Sequence, residues 1–95
     1  SNFYIIKGHV LTTAPDDTVL DGVTRISVLR AARELGYSIE YRRPEKSEIF
    51  SADSSFISST SMGAMPIKAV DGERCPMDRE KVAAICALVR KWERE

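Results

Sequence analysis

Two stretches of the sequence combine hydroxyl groups with small residues in a way that suits anion binding. The first, DGVT, spans residues 21–24, and the second, SSTSMG, spans residues 58–63. DGVT leads into a helical pattern, and the first turn of a helix has backbone N–H groups without intrahelical partners and the positive end of the helix dipole. Gly22 allows close approach of the backbone, and Thr24 adds a hydroxyl donor. These residues indicate a candidate site for a phosphate group.

Ordinary structural roles also account for both stretches. Asp21 can cap the helix, and the serine-rich stretch can form a surface turn. The carboxylate of Asp21 would repel a phosphate unless it points away from it. Neither stretch has the spacing of a P-loop or of a dinucleotide-binding fingerprint. From residue types alone both interpretations stay open, and the structural one is favoured.

The elements that would position these stretches alternate between strands and helices. Strands are predicted at Phe3–Lys7 and His9–Thr12, with a tight reversal at Gly8, and at Tyr37–Arg42, Ser54–Ser58 and Ala64–Val70, the last closed by an Asp71-Gly72 turn. Helices are predicted at Val23–Leu35, at Lys46–Ser51 and after an N-cap at Asp78. This interleaving predicts one domain of the α/β or α+β class with mixed strand pairing.

The apolar faces of the two longer helices are predicted from residue spacing. The first helix would bury Ile26, Leu29, Ala32 and Leu35 and stop at Gly36. The last helix would bury Val82, Ile85, Cys86, Val89 and Trp92, with Trp92 as a packing anchor or dimer contact. Arg30 and Arg33 share a helical face, which we interpret as the solvated side of the first helix.

The bulk composition narrows the choice of partners. The 95 residues include 14 basic and 14 acidic side chains, spread along the chain, so nucleic acid is not an expected partner. No apolar run is long enough to span a bilayer and no signal peptide opens the sequence, so no membrane partner is expected. Cys75 and Cys86 lack metal-ligand spacing, which favours a reduced, intracellular protein without a metal site. We therefore expect a cytoplasmic location, with an organelle as the alternative.

Two ordered blocks of the sequence resemble a known enzyme family. SNFYIIKGHVLTTAPDDTVLDGVTRISVLRAARELGYSIE and FISSTSMGAMPIKAVDGE are similar to the C-terminal part of the class IV (fold type IV) pyridoxal-phosphate aminotransferases. That family includes branched-chain and D-amino acid aminotransferases, (R)-amine transaminases and aminodeoxychorismate lyase. The resemblance implies an α/β fold with a mixed sheet or pseudo-barrel and flanking helices. It also implies that residues 1–95 are a single C-terminal domain from a longer chain, although a natural domain whose first strand lies near its terminus would open in the same way.

The resemblance further implies roles for individual residues around pyridoxal 5′-phosphate as cofactor. The cofactor-binding residues would be Leu20 on the pyridine ring and Gly22, Val23, Thr24 and Thr60 at the phosphate. Thr60 and Ser61 would contact the substrate carboxylate. Asn2 and Arg25 match family positions and are interpreted as structural supports.

Departures from the family pattern leave the reaction open. Asp21 stands where the family often has proline, and Met62 and Gly63 replace a small residue and an acid that are frequent in branched-chain enzymes. The implied function is transfer of an amino group between an amine or amino acid and a 2-oxo acid. A lyase or a non-catalytic homologue is the alternative.

The catalytic lysine is missing from the matching positions of this chain. None of the five lysines stands where the family has it: Lys7, Lys46, Lys68, Lys81 and Lys91. The Schiff-base lysine is therefore expected before Ser1, no catalytic residue is assigned here, and these 95 residues alone are expected to be inactive. The resemblance implies a homodimer for the intact protein.

Overall fold

The computed structural model describes residues 2–15, 22–59, 63–67 and 69–93. In chain order the elements are β1 (Asn2–Lys7), β2 (Val10–Thr13), α1 (Gly22–Glu34), β3 (Ser38–Tyr41), α2 (Lys46–Ser51), β4 (Ser54–Ser59), β5 (Gly63–Pro66), β6 (Ala69–Val70), β7 (Glu73–Arg74) and α3 (Arg79–Glu93). No helix in the described part of the chain is long and apolar enough to cross a lipid bilayer.

Five of the strands form one mixed sheet in the order β3-β2-β1-β4-β5. Only the β2–β3 pair is parallel among these neighbours, and α1 supplies the crossover that a parallel pair requires. β6 and β7 form a separate two-stranded hairpin. The predicted mixed sheet with flanking helices is confirmed, and the described strands form an open sheet rather than a closed barrel.

The two faces of the sheet bury separate apolar clusters. One face packs against α1 and α3 through a cluster that includes Tyr4, Ile6, Leu11, Val28, Leu29, Ala32, Phe56, Val82, Ile85 and Val89. The rings of Tyr4 and Phe56 stack within it, with centroids 4.6 Å apart. The opposite face packs against α2 and the β6–β7 region, where Ile5 contacts a cluster with Ile49 and Cys75. The sheet is therefore the middle layer of three.

Three predicted turn and cap signals are confirmed. Gly8 has φ +59° at the first position of the two-residue β1–β2 turn, as a type II′ hairpin requires. Gly36 has φ +95° and ends α1, and the N–H of Tyr37 donates to the Ala32 carbonyl at 2.9 Å, as in a Schellman motif. Asp78 Oδ1 accepts the Lys81 N–H at 3.2 Å and so caps α3.

The predicted apolar face of α1 is wrong at both ends. Leu29 and Ala32 are buried, but Ile26 is 67% exposed and Leu35 is 42% exposed. Three residues advance about 300° around a helix, which is about 60° short of a full turn. Four residues at strict three-residue spacing are therefore spread over about half of the helix circumference. The buried face is instead completed by residues four apart, with Val28 next to Leu29 and Ala32.

The strand predicted over Ala64–Val70 is also wrong as a single element. Gly63–Pro66 belongs to the main sheet as edge strand β5, while Ala69–Val70 pairs with β7 across the predicted Asp71-Gly72 turn. β5 ends at Pro66, although the Ile67 N–H still donates to the Ser55 carbonyl of β4 at 2.9 Å, and Ile67 and Val70 pack on the α2 side of the sheet. His9, predicted as the start of the second strand, belongs to the Gly8 turn.

Candidate functional site at one edge of the sheet

The strands that adjoin the two stretches singled out in the sequence end or begin at the same edge of the main sheet. β2 and β4 end at this edge, and β1 and β5 begin there, as the pairs Tyr4–Thr13, Asn2–Ser58 and Ser59–Gly63 show. The chain leaves β2 here to enter α1, and it passes here from β4 to β5. Both candidate stretches therefore connect to the same edge.

The predicted cofactor residues lie only partly within the described chain. Gly22, Val23 and Thr24 form the first turn of α1, which contains no acidic residue. Their backbone N–H groups lie at the positive end of the helix dipole, as the sequence predicted. The other predicted site residues lie outside the described residues: Leu20, Thr60 and Ser61, together with Asp21 and Met62 beside them. The role of each residue toward a cofactor stays a prediction.

Arg25 attaches the start of α1 to this edge. Its side chain is buried, Nη1 donates to Thr13 Oγ1 at 2.9 Å, and Nη2 donates to the Ala14 carbonyl. Thr13 Oγ1 in turn donates to the Phe3 carbonyl at 3.0 Å. These are the contacts of the structural support that was predicted for Arg25. Asn2, the other predicted support, pairs with Ser58 in the sheet.

A buried hydroxyl pair at the same edge was not predicted. Tyr4 Oη and Ser58 Oγ lie 2.8 Å apart, and both residues are fully buried. The pair joins β1 to the end of β4, just before the chain turns toward β5. Sequence patterning shows that Tyr4 and Ser58 are strand residues, but only the register of β1 against β4 brings them together.

The described ionisable groups with shifted pKa values lie elsewhere. Asp53, at the opposite edge, accepts the Gly8 N–H at 2.7 Å and a hydrogen bond from Lys81 Nζ at 3.1 Å, and these two bonds lower its pKa. Arg42 donates to both carboxylate oxygens of Glu48 at the surface, at 2.7 Å each, which lowers the pKa of that acid. These are stabilising contacts that tie neighbouring elements together.

The described groups at the site edge suit an anion better than a metal. They include the backbone N–H groups of the first turn of α1, which are donors of the kind that bind phosphate oxygens. The described residues contain no cluster of three or more His, Cys, Asp or Glu side chains placed to hold a metal ion. Cys75 and Cys86 are free thiols. The phosphate site stays a prediction.

None of the four described lysines has the environment of an activated amine. Lys7 is exposed beside the Gly8 turn, and Lys91 is exposed on α3. Lys46 pairs with Asp71, and Lys81 pairs with Asp53. Lys68 lies outside the described residues. That the catalytic amine lies outside this chain stays a prediction.

The fold defines the class of protein. A structure of an aminotransferase from Brucella abortus, solved with the cofactor PLP, superposes with a TM-score of 0.81 at 26% identity, over 100% of this chain and 34% of that one. The open mixed sheet with its flanking helices is thus the fold of the fold type IV aminotransferases.

The family model for amino-transferase class IV matches residues 1–70, and the chain belongs to that family. The D-alanine aminotransferase of Bacillus licheniformis is 38% identical over 74 residues, which are 77% of this chain and 26% of that protein. A probable branched-chain-amino-acid aminotransferase of Thermotoga maritima is 35% identical over 94 residues, which are 98% of this chain and 34% of that protein. The chain therefore spans about a third or less of these relatives.

Proposed function

We propose that residues 1–95 are the C-terminal domain of a longer pyridoxal-phosphate-dependent aminotransferase and supply the phosphate end of its cofactor site. Family membership and the share of the relatives' length support this assignment. The observation that carries it is that Arg25 ties the start of α1 to the same edge of the sheet at which β4 ends and β5 begins. The intact protein is proposed to be a homodimer in the cytoplasm or an organelle.

The residues present fit this cofactor in their chemistry. Gly22, Val23 and Thr24 would hold the phosphate through backbone N–H groups and the Thr24 hydroxyl, with Thr60 adding a second hydroxyl. Leu20 would pack on the pyridine ring. When bound, pyridoxal phosphate supplies the electron sink that the exchange of an amino group requires. The first turn of α1 would hold and orient it, since that turn combines the helix dipole with a sequence free of acids.

The strength of this site can be bounded. Hydrogen bonds to a charged group contribute about 1.5–3 kcal/mol each, and a helix N-terminus adds about 0.3–1 kcal/mol. Three or four such contacts give roughly 5–12 kcal/mol in total, whereas association costs about 4–15 kcal/mol. The 95 residues alone should therefore bind the cofactor weakly. Tight binding requires the lysine and other groups that we place in the remainder of the protein.

The substrates proposed are an amino acid or amine and a 2-oxo acid. Thr60 and Ser61 would donate backbone N–H groups to the substrate carboxylate and so orient it at the cofactor. The relatives named above act on different amino acids, so the side chain of the amino donor is not assigned.

The test is a half-reaction with the intact protein. The purified protein, loaded with pyridoxal phosphate, is mixed with single amino donors in the absence of a 2-oxo acid, and its visible spectrum is followed. In an aminotransferase the visible absorbance changes in proportion to one amino donor per active site, and the original spectrum returns when a 2-oxo acid is added. A lyase would turn over repeatedly without the second substrate, and a non-catalytic homologue would show no change. Either of the last two results would contradict the proposal.

A further inference from the structure

We propose that the Thr13 hydroxyl is a positioning group that fixes the first turn of α1 to the sheet and so sets the affinity for the cofactor phosphate. The link to phosphate depends on the function proposed above, whereas the link to α1 does not. Thr13 is fully buried and is the last residue of β2. Its hydroxyl accepts from Arg25 Nη1 and donates to the Phe3 carbonyl, so one side chain joins α1, β2 and β1.

The hydrogen bonds of Arg25 fix the position of the first turn of α1 relative to the sheet. The apolar side chains of α1, such as Val28 and Leu29, pack further along the helix, and apolar packing restrains sliding and rotation less sharply than hydrogen bonds do. Arg25 directly follows Thr24, so any shift of Arg25 along a rigid helix carries the first-turn N–H groups with it. The Arg25 bonds to Thr13 and Ala14 are directional restraints one residue from that turn.

The hydrogen bonds from Arg25 to Thr13 and from Thr13 to Phe3 also connect α1, through β1, to β4. Phe3, whose carbonyl accepts from Thr13, pairs with Ile57 in β4. The next residue, Tyr4, bonds to Ser58 at the end of β4. β1 therefore contacts both sides of the site edge, and Thr13 is the group that links β1 to Arg25 of α1. Removing the Thr13 hydroxyl should release the α1 side and leave the β4 side in place.

The test compares Thr13→Val, which removes the hydroxyl at nearly constant shape, with Thr13→Ser, which keeps it. In the intact protein, Kd is measured for pyridoxal phosphate and for pyridoxal, which lacks the phosphate. Thr13→Val should raise the Kd for pyridoxal phosphate about tenfold and change the Kd for pyridoxal by less than about twofold. Thr13→Ser should keep both Kd values within about twofold of those of the original protein. Asp53→Asn, at the opposite edge of the sheet, is the stability control and should leave the ratio of the two Kd values unchanged.

Hydrogen exchange of the ligand-free protein gives the second measurement. Peptides from the start of α1 should exchange faster in Thr13→Val than in Thr13→Ser, while peptides from β4 should not. Equal exchange in the two variants would overturn the positioning role. If exchange is faster in Thr13→Val but the Kd values for pyridoxal phosphate and pyridoxal rise equally, the link to the phosphate is overturned. If the original protein itself binds the two compounds equally, the proposed phosphate site is wrong, and exchange alone decides the positioning role.

Discussion

The buried hydroxyl pair between Tyr4 and Ser58 allows a sharp test of how the sheet edge is held. Both residues are fully buried, their hydroxyl oxygens are 2.8 Å apart, and either oxygen can be the donor. Tyr4→Phe removes one hydroxyl and keeps the ring that stacks on Phe56. Ser58→Ala removes the other hydroxyl with a minimal change of volume. The double variant removes both.

The expected free energies follow from the asymmetry of buried hydrogen bonds. Tyr4→Phe takes away the partner of a buried Ser58 hydroxyl, which costs about 1–3 kcal/mol of unfolding free energy. Ser58→Ala breaks the same hydrogen bond from the other side and should cost about 0.5–3 kcal/mol. The double variant should be less destabilised than the sum by about 1 kcal/mol, because it leaves no hydroxyl of the pair behind. A loss of 1 kcal/mol should lower Tm by about 4–8 °C in a domain of this size.

Chemical denaturation of the four proteins of this cycle is the assay, and Ser54→Ala is the matched control. Ser54 lies on the same face of β4 and is as deeply buried, but its hydroxyl has no hydrogen-bond partner within the described chain. Ser54→Ala should therefore be neutral or stabilising. Additive losses to within about 0.5 kcal/mol, or a Ser54→Ala loss as large as that of Ser58→Ala, would refute the reasoning.

Three further predictions concern the opposite edge, the face of α1 and the isolated chain. Bonds from Gly8 and Lys81 lower the pKa of Asp53, so its carboxylate stabilises the fold at pH values above the ordinary aspartate pKa of about 3.9. The difference in unfolding free energy between the original protein and Asp53→Asn should therefore be full at neutral pH and shrink as the pH falls below that value. A difference that does not vary with pH would contradict this. Ile26→Ser should change the unfolding free energy by less than about 0.5 kcal/mol, because Ile26 is exposed, whereas Val28→Ala should cost at least about 1 kcal/mol, because Val28 is buried. Urea denaturation measures both changes, and a larger loss for Ile26→Ser than for Val28→Ala would contradict the observed buried face of α1. The 95 residues alone, titrated with pyridoxal phosphate, should show no tight complex and no borohydride-stable adduct on a lysine by mass spectrometry, and a single modified lysine would place the catalytic amine inside this chain.

Local signals in the sequence were sufficient for most of the elements. Gly8 and Gly36 mark the first reversal and the end of α1, and Asp78 begins α3, because each of these signals depends only on neighbouring residues. The bounds predicted for α2 agree with the structure. Such features need no knowledge of the rest of the fold.

Features that depend on tertiary contacts could not be predicted in the same way. Ile26 fits an apolar spacing but faces outward, because the position of α1 on the sheet decides which side is buried. The split between β5 and β6 depends on their different partners, since β5 pairs with β4 and β6 pairs with β7. The bond between Tyr4 and Ser58 depends on strand register. For the candidate site, the sequence predicted the first turn of α1 and the supporting role of Arg25, but not the relay through Thr13.

The central claim is that the first turn of α1 binds the cofactor phosphate, and Thr24 tests it most directly. In the intact protein, Kd for pyridoxal phosphate and for pyridoxal is measured for the original sequence, Thr24→Val and Thr24→Ser. We predict that Thr24→Val weakens the binding of pyridoxal phosphate about tenfold or more and leaves the Kd for pyridoxal within about twofold, because in the proposed site only the phosphate would reach this hydroxyl. Thr24→Ser, which keeps the hydroxyl, should restore the affinity for pyridoxal phosphate. Unchanged affinity for pyridoxal phosphate in Thr24→Val, or an equal loss for both compounds, would contradict the assignment of this turn as the phosphate site.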